Sequence, residues 1–525
     1  MSGSPLKHAP SDLIGGEWIA LAAPGGAGTI TSVNPAHPDR VVWQGTPVRA
    51  HVDQAVAAAR RALPEWARTP IERRIAVLDR FAKLATEHAD ALGGLICDEA
   101  GKALWESVGE AKAVAAKVGI TLDPQTAQNW GRARVTPFDL DLGGTKRARG
   151  HFRPHGVMAV VGPFNFPAHL PNGHIVPALL MGNTVVFKPS DKTPAVGQML
   201  TELFDEALRA EGAPAGVINQ VQGAAENAAA LTSHPDINGI LFTGSWNVGR
   251  RILEANLDRP GRVVALELGG NNPAIVMPDA DLRQAAIEVA RCAFNTTGQR
   301  CTSTRRLIVH DEIADKLVAA ICKAASSLSV GDPRSETPVF MGPLVTREAR
   351  ESALTAQKVM TETGAEALVE MATPPELGEG PYITPGVLRV AEFRADPGRG
   401  EAGFDCGCDE EVFGPLLQYT TVNSFDEALA QANATRYGLA ASVFTQDQAS
   451  IDRFLAECRA GCVNVNCGTA GASSKLAFGG LGISGNHRPA GSYALDYCAY
   501  PVASMIEQGE AATIAPGMAF EDGWI

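Results

Sequence analysis

The chain has 525 residues, of which 45% are hydrophobic and 20% charged, the balance of an ordinary globular protein. Single hydrophobic cores stop growing at about 250–300 residues, so more than one domain is expected. The net charge of -13 argues against nucleic acid or an anionic membrane surface as the main partner, and leaves room for a local basic pocket that takes a small anion.

At the start of the chain, Met-Ser-Gly-Ser-Pro-Leu-Lys-His-Ala-Pro lacks the apolar heart of a secretory signal. No later stretch approaches the run of about 20 apolar residues that a membrane span needs, so a cytoplasmic protein is expected. Residues 14–18 and 32–45 read as short extended segments with turns. From 51 to 91 the pattern is helical: Val56, Ala59, Leu63 and Trp66 recur at helical spacing, and Ile75, Leu78, Phe81 and Leu84 do so again. Residues 106–120 form a third amphipathic helix. These helices are read as packing elements.

The texture changes at Gly156. Apolar runs at 156–162, 184–188, 216–221, 239–243 and 263–267 read as buried strands. Helical segments at 168–181, 196–210, 225–232 and 247–256 separate them. Strands alternating with helices of this length predict a parallel, doubly wound α/β sheet, which binds ligands past the carboxyl ends of its strands. A second alternating region follows: a strand at 306–310, a helix at 315–327, mostly helix over 341–362 and a strand at 416–423. The stretch 371–410, rich in Pro, Gly and acid, is read as surface loops. A late strand is expected near 498–503 and a mobile tail after it.

Cys301 lies in Phe294-Asn-Thr-Thr-Gly-Gln-Arg-Cys-Thr-Ser-Thr304, and upstream Glu267 lies in Leu266-Glu-Leu-Gly-Gly-Asn-Asn272. A thiolate attacks carbonyl carbon, and a carboxylate in reach activates a water, so the pair describes covalent oxidation or hydrolysis of an acyl group. Asn165, in Gly162-Pro-Phe-Asn-Phe-Pro167 just after a strand, offers an amide donor to a developing oxyanion; the alternative is a turn asparagine between prolines. Lys188 with Asp191, at another strand end, suits the hydroxyls of a ribose. Gly244, Ser245 and Gly249 stand where a strand turns into a helix, the place for a pyrophosphate, although they do not form the usual Gly-rich fingerprint. Glu411 and Phe413, in Glu410-Glu-Val-Phe-Gly-Pro415, suit a second ribose and a nicotinamide; the alternative is an acidic loop. Cys292 is a rival nucleophile by type, but its neighbours read as a buried helix. Of the 10 cysteines, Cys406 with Cys408 and Cys458 with Cys462 resemble half of a metal site without a partner pair at a usual spacing, so no metal is expected and the thiols are read as reduced.

Taken together, these motifs resemble the NAD(P)-dependent aldehyde dehydrogenase superfamily over nearly the whole chain, from about Gly15 to Ser504. The Glu-Leu-Gly-Gly and Gly-Gln-x-Cys stretches carry that resemblance most specifically. It implies that Cys301 is the nucleophile, Glu267 the general base, and Asn165 with the Cys301 backbone N–H the oxyanion hole. It places Lys188 at the adenosine ribose, Gly244, Ser245 and Gly249 at the pyrophosphate, and Glu411 and Phe413 at the nicotinamide end. Asp191 stands where the family often has Glu when it prefers NAD. A shorter carboxylate still repels a 2′-phosphate, so NAD is expected, with NADP possible. The implied fold is a Rossmann-type dinucleotide-binding domain (10–138 and 154–268), an α/β catalytic domain (269–485), a β oligomerisation flap (139–153 and 486–510) and a tail (511–525). Such flaps pair subunits, which implies a homodimer or homotetramer.

Asn486-His-Arg-Pro489, running on to Asp496-Tyr-Cys-Ala499, is similar to the N-succinylglutamate 5-semialdehyde dehydrogenases of arginine succinyltransferase catabolism. Pro167-x-His169-Leu-Pro-Asn-Gly-His174 fits the same group. That substrate carries carboxylates remote from its aldehyde, and a guanidinium holds a carboxylate bidentately, so Arg488 and Arg300 are candidate substrate contacts, with His169 a third. Ala477 departs from the usual Pro before Phe-Gly-Gly, and the expectation widens there to another acidic semialdehyde. Two other readings stay open: a dehydrogenase that passes its thioester to CoA, and a non-catalytic protein that keeps the fold.

Overall fold

Apolar runs of the first half become strands buried on both faces. In a computed structural model of the chain, which describes residues 5–22, 25–26, 28–124, 131–471, 473–487, 490–509 and 514–525, Val263–Glu267, Gly239–Thr243, Val157–Val161, Thr184–Lys188 and Ile218–Gln220 lie side by side in that order and run parallel. The antiparallel strands Ser11–Ile14 and Glu17–Ala20 complete this seven-stranded sheet at one edge. A parallel strand covered on both faces has no polar side to show, which is why these runs carry little alternation. In Thr184–Lys188, Val185 and Phe187 enter one core with helices Ile71–Glu87, His169–Leu180 and Pro194–Ala210, while Val186 enters the opposite core with helix Ala50–Arg68.

The register sets the strand ends level. Val161 pairs with Lys188, Phe242 with Val161, and Thr243 with Glu267. The turns that leave these four strands therefore emerge along one rim.

A second seven-stranded sheet orders Glu366–Val369, Gly386–Arg389, Leu416–Val422, Thr304–His310, Asn272–Val276, Ala440–Phe444 and Cys462–Val465, parallel except for the first pair. The strand Ala499–Glu507 pairs antiparallel with Lys146–Pro154, which pairs with Phe138–Asp141, giving a separate three-stranded sheet. Phe138, Leu140, Tyr500 and Met505 leave this sheet exposed. Among the described residues no helix is long and apolar enough to cross a membrane.

The structure corrects the reading of 371–410 as surface loops. Gly386–Arg389 is an interior strand of the second sheet, and Ile383, Leu388, Val390 and Phe393 are buried. Its apolar run is too short, and too closely flanked by Pro and Gly, to stand out as a strand. The helix expected over 341–362 starts only at Arg347, after Pro343, with the Thr346 hydroxyl accepting from Ala349 N. Helices Phe425–Asn433 and Gln448–Glu457 and strands Ala440–Phe444 and Cys462–Val465 add to the elements foreseen. In the tail, residues 514–525 are exposed around the single turn Asp522–Trp524.

Candidate active site

The chain passes directly from one large sheet to the other at Glu267. This residue ends the outermost strand of the first sheet, and Asn272 opens a central strand of the second. Asn272 pairs with Thr304, so the segment that carries Cys301 arrives beside the one that carries Glu267. The Asn272 amide donates to the carbonyls of Cys301 (2.7 Å) and Ser303 (2.8 Å), and its oxygen accepts from Ala440 N at 3.0 Å. Both glycines between Glu267 and Asn272 are needed for this approach. A Cβ at Gly270 would stand 2.6 Å from the Cys301 carbonyl oxygen, and one at Gly269 would stand 2.7 Å from the carboxyl carbon of Glu411.

Cys301 follows the turn Asn295–Gly298, in which Thr296 (φ 53°) and Thr297 (φ 55°) take the left-handed conformation. That conformation is strained for β-branched residues and persists only where the surroundings hold it. Burial raises the Cys301 thiol well above the ordinary range, the charges of Glu267 and Glu411 raise it further, and Arg305 and Arg300 oppose them. Glu267 is buried; its carbonyl accepts from Gly244 N at 3.0 Å, and its backbone bridges Gly485. Asn486 staples the same strand from the other side: its amide donates to Val264 O (3.0 Å) and accepts from Leu266 N (2.8 Å). Asn165 is buried, and its amide donates to Gln299 O at 2.9 Å, which ties the loop after Val157–Val161 to the segment just before Cys301.

The remaining predicted residues follow the same rim. Lys188 is buried at its strand end, and burial lowers its ammonium to about 8 against the pull of Asp191. Asp191 is half-buried beside Lys192, at 3.6 Å. Ser245 is the N-cap of helix Trp246–Glu254 and forms no side-chain cap bond; Gly244 precedes it, and Gly249 lies buried in the helix. Glu411 accepts from Gly270 N (3.1 Å) and from Arg305 (3.1 Å), and burial raises its carboxyl. Phe413 meets Phe164 edge-on at 5.9 Å. A cavity of about 320 Å³ opens here, lined by Phe164, Lys192, Gln299, Thr346, Glu411 and Phe413 among others.

Of the candidate substrate contacts, Arg300 directly precedes Cys301 and His169 opens helix His169–Leu180 after the Asn165 loop. The Arg300 guanidinium is paired with Glu106 (2.6 Å) and donates to the Thr296 hydroxyl (2.8 Å). Burial lowers His169, so as a candidate contact it would act as a neutral hydrogen-bonding ring. Arg488 lies outside the described residues. His174 is a packing residue: its ring meets the Tyr497 hydroxyl (3.0 Å) and the Thr243 hydroxyl (3.2 Å), and burial lowers it to about 3.

The model of the "Aldehyde dehydrogenase family" matches residues 22–502. The chain belongs to the aldehyde dehydrogenase family. The N-succinylglutamate 5-semialdehyde dehydrogenase of Sphingopyxis alaskensis is 41% identical over 94% of this chain and 97% of its own length. N-succinylglutamate 5-semialdehyde dehydrogenase 2 of Caulobacter vibrioides is 45% identical over 94% and 95%. Among solved structures, PnpE from Pseudomonas sp. WBC-3 superposes with a TM-score of 0.86 at 30% identity, covering 97% of this chain and 99% of that one, and PnpE has also been solved in complex with nicotinamide adenine dinucleotide.

In this aldehyde dehydrogenase, some residues that build the site escaped the reading of the sequence. Arg305 is buried and donates to the carbonyls of Gly270 (3.1 Å), Gly298 (3.3 Å) and Arg300 (2.9 Å) besides pairing with Glu411. Arg306, also buried, donates to Asn271 O (2.7 Å) and Ala432 O (3.0 Å). The available signal was the pair itself: two arginines opening an otherwise apolar strand, Thr-Arg-Arg-Leu-Ile-Val-His, require buried acceptors.

Proposed function

We propose that the chain oxidises N-succinyl-L-glutamate 5-semialdehyde to N-succinyl-L-glutamate with NAD, through a covalent intermediate on Cys301. The observation that carries the substrate is the match, over 94% of the chain, to two dehydrogenases of that name at 41% and 45% identity. The convergence of Cys301, Glu267 and Asn165 on one seam supports the chemistry.

The rim fits a dinucleotide. Lys188 and Asp191 suit the adenosine ribose, and the start of helix Trp246–Glu254 suits the pyrophosphate, because its N-cap Ser245 leaves the helix N–H groups for an anion. Glu411 and Phe413, on the cavity, suit the nicotinamide half. When bound, NAD supplies the hydride acceptor. Asp191 disfavours a 2′-phosphate, which supports NAD over NADP.

In this reading the Cys301 sulfur attacks the aldehyde carbon as the thiolate, its proton released to solvent. The Asn165 amide and the Cys301 N–H stabilise the oxyanion of the thiohemiacetal. Loss of hydride leaves a thioester on Cys301. Glu267 takes a proton from water, which attacks the thioester carbonyl and frees the acid. Glu267 supports hydrolysis over transfer to CoA; acyl-CoA formed on adding CoA to the assay would reverse that. The division into sheets supports a dinucleotide-binding domain, a catalytic domain and a flap. The apolar face of the three-stranded sheet supports subunit pairing in a homodimer or homotetramer, measurable by light scattering on the eluting protein.

The test of substrate is NADH formation with N-succinylglutamate semialdehyde beside succinate semialdehyde, glutamate semialdehyde and a simple aliphatic aldehyde. A preference of ~10²-fold in kcat/KM, about 2.7 kcal/mol of transition-state discrimination, is expected. Equal rates on all four would discard the substrate and keep the reaction.

A further inference from the structure

Helix Leu104–Leu122 belongs to neither large sheet, yet it carries two buried glutamates one turn apart, Glu106 and Glu110. Residues four apart lie on the same face of a helix. Glu106 reaches the nucleophile turn. It accepts from Thr296 N (3.0 Å), from the Thr296 hydroxyl (3.0 Å) and from Arg300 (2.6 Å). Glu110 reaches the other loop. It accepts from Ala168 N (3.0 Å) and His169 N (3.1 Å), and it pairs with Lys102 at 2.6 Å. The Lys102 ammonium also donates to the Asn165 carbonyl at 3.1 Å.

The two halves meet on one ring. Phe166, directly after Asn165, has the Lys102 ammonium 3.8 Å from its ring centre and the Arg300 guanidinium 5.0 Å from it. Each cation on the ring is thus held by one glutamate of the same helix. The Asn165 amide closes the circuit through its bond to Gln299 O.

We infer that Glu106 and Glu110, with Arg300, Lys102 and Phe166 between them, are positioning residues that set the separation of the Asn165 amide and the Cys301 sulfur. This rests on the reading of Asn165 as oxyanion donor and Cys301 as nucleophile. Three observations carry it. The clamp grips one of the two strained residues of the nucleophile turn, Thr296, by its N–H and its hydroxyl. It grips the Asn165 loop at three backbone atoms, those of residues 165, 168 and 169. Its ion pairs are buried, where a carboxylate that only bound solvent cations would not be kept. A helix that only packed would need neither carboxylate.

The test uses the full-length enzyme with Glu106→Gln, Glu110→Gln and the double variant, each isosteric. Three quantities are read: kcat and KM for both substrates, NAD affinity by titration, and the amplitude of the first-turnover NADH burst as a count of competent sites. Misplacing reacting groups by about an ångström costs up to ~10²-fold in rate. Each single variant is expected to lose ~10- to 10²-fold in kcat per competent site, with NAD affinity and aldehyde KM within about twofold of wild type. The double variant should lose less than the product of the two, because both act on one distance. Phe166→Leu keeps both ion pairs and removes the shared ring; it should lose kcat in the same direction and serves if a Gln variant does not fold. Wild-type kcat per competent site in the folded variants, or a loss accounted for by fewer competent sites, overturns the clamp. Cys301→Ala separates the two readings: activity surviving there overturns the mechanism itself, whereas an inert Cys301→Ala beside unimpaired clamp variants overturns the clamp alone.

Discussion

One methyl group at Gly269 should damage the cofactor end of the site more than it damages the fold. In Gly269→Ala the new Cβ would stand 2.7 Å from the Glu411 carboxyl carbon, with a carboxylate oxygen closer still, so the carboxylate must swing away. It would leave two donors, Gly270 N and the Arg305 guanidinium, each now at 3.1 Å. Hydrogen bonds to charged groups contribute about 1.5–3 kcal/mol each. Arg305 keeps its carbonyl partners at Gly270, Gly298 and Arg300, so the buried guanidinium is not stranded. The carboxylate carries the loss. If it positions the nicotinamide half, kcat/KM for NAD should fall ~10- to 10²-fold, equivalent to about 1.4–2.7 kcal/mol. Thermal unfolding should show a loss of about 1–2 kcal/mol. Glu411→Gln, which weakens the same contacts without adding volume, should reproduce the kinetic loss. The assay is steady-state turnover with varied NAD at saturating aldehyde, beside a melting curve. A Gly269→Ala enzyme within about twofold of wild type in kcat/KM for NAD would refute the reasoning, because it would mean that the Glu411 side chain swings aside at no cost to the cofactor end.

Glu267→Gln should keep a first-turnover NADH burst while its steady-state rate falls ~10²- to 10⁴-fold; loss of the burst as well would move Glu267 from thioester hydrolysis to thiol activation alone. The Cys301 thiol is raised, so it stays protonated beyond the ordinary thiol value of about 8.5. Alkylation of Cys301 by iodoacetamide without NAD should therefore keep accelerating to pH 10, and a plateau below pH 8.5 would contradict the burial argument. Lys188 and Lys117 are lowered from 10.5 to about 8 by burial. Between pH 8 and 10.5 the unfolded chain binds protons that the folded chain has released, so their contribution to stability rises with pH across that window, by up to about 3 kcal/mol each. Lys188→Met should remove its share of that rise in urea unfolding, and a wild-type-minus-variant difference that stays flat from pH 8 to 10.5 would refute it.

Much of the first sheet was legible because a strand buried on both faces has to be apolar throughout. Thr184–Lys188, Gly239–Thr243 and Val263–Glu267 have the boundaries their apolar runs predicted. Legibility faded in the second sheet for the converse reason. Gly386–Arg389 and Cys462–Val465 are four residues each, and their burial depends on neighbours distant in sequence. The chemical residues were legible by type and local motif, since a cysteine after Gly-Gln and a glutamate before Leu-Gly-Gly announce themselves. Their supports were not. Glu106 and Glu110 fall in a helix read only as a packing element, with Lys102 just before it, until the fold sets Thr296, Ala168 and Phe166 against them. Arg300 shows the same limit: adjacency to Cys301 suggested a substrate contact, and nothing in the sequence announced its pairing with Glu106.

The position of Glu267 explains why these distant supports are needed. Its side chain ends a strand of one sheet, while Cys301 precedes a strand of the other, and residues 268–271 join the two. Within a sheet the hydrogen-bond ladder fixes separations, but no ladder runs across the seam. There the distance between groups is set by individual bonds: Asn165 to Gln299 crosses it, Asn272 anchors the Cys301 segment on one side, and Gly244 N and Asn486 anchor the Glu267 strand on the other. A site built in this way tolerates changes inside either sheet better than the loss of one amide at the seam. Asn272→Ala would strand the carbonyls of Cys301 and Ser303 and the N–H of Ala440 together, whereas trimming Ile308, in the same sheet but away from the seam, costs packing that the site does not read.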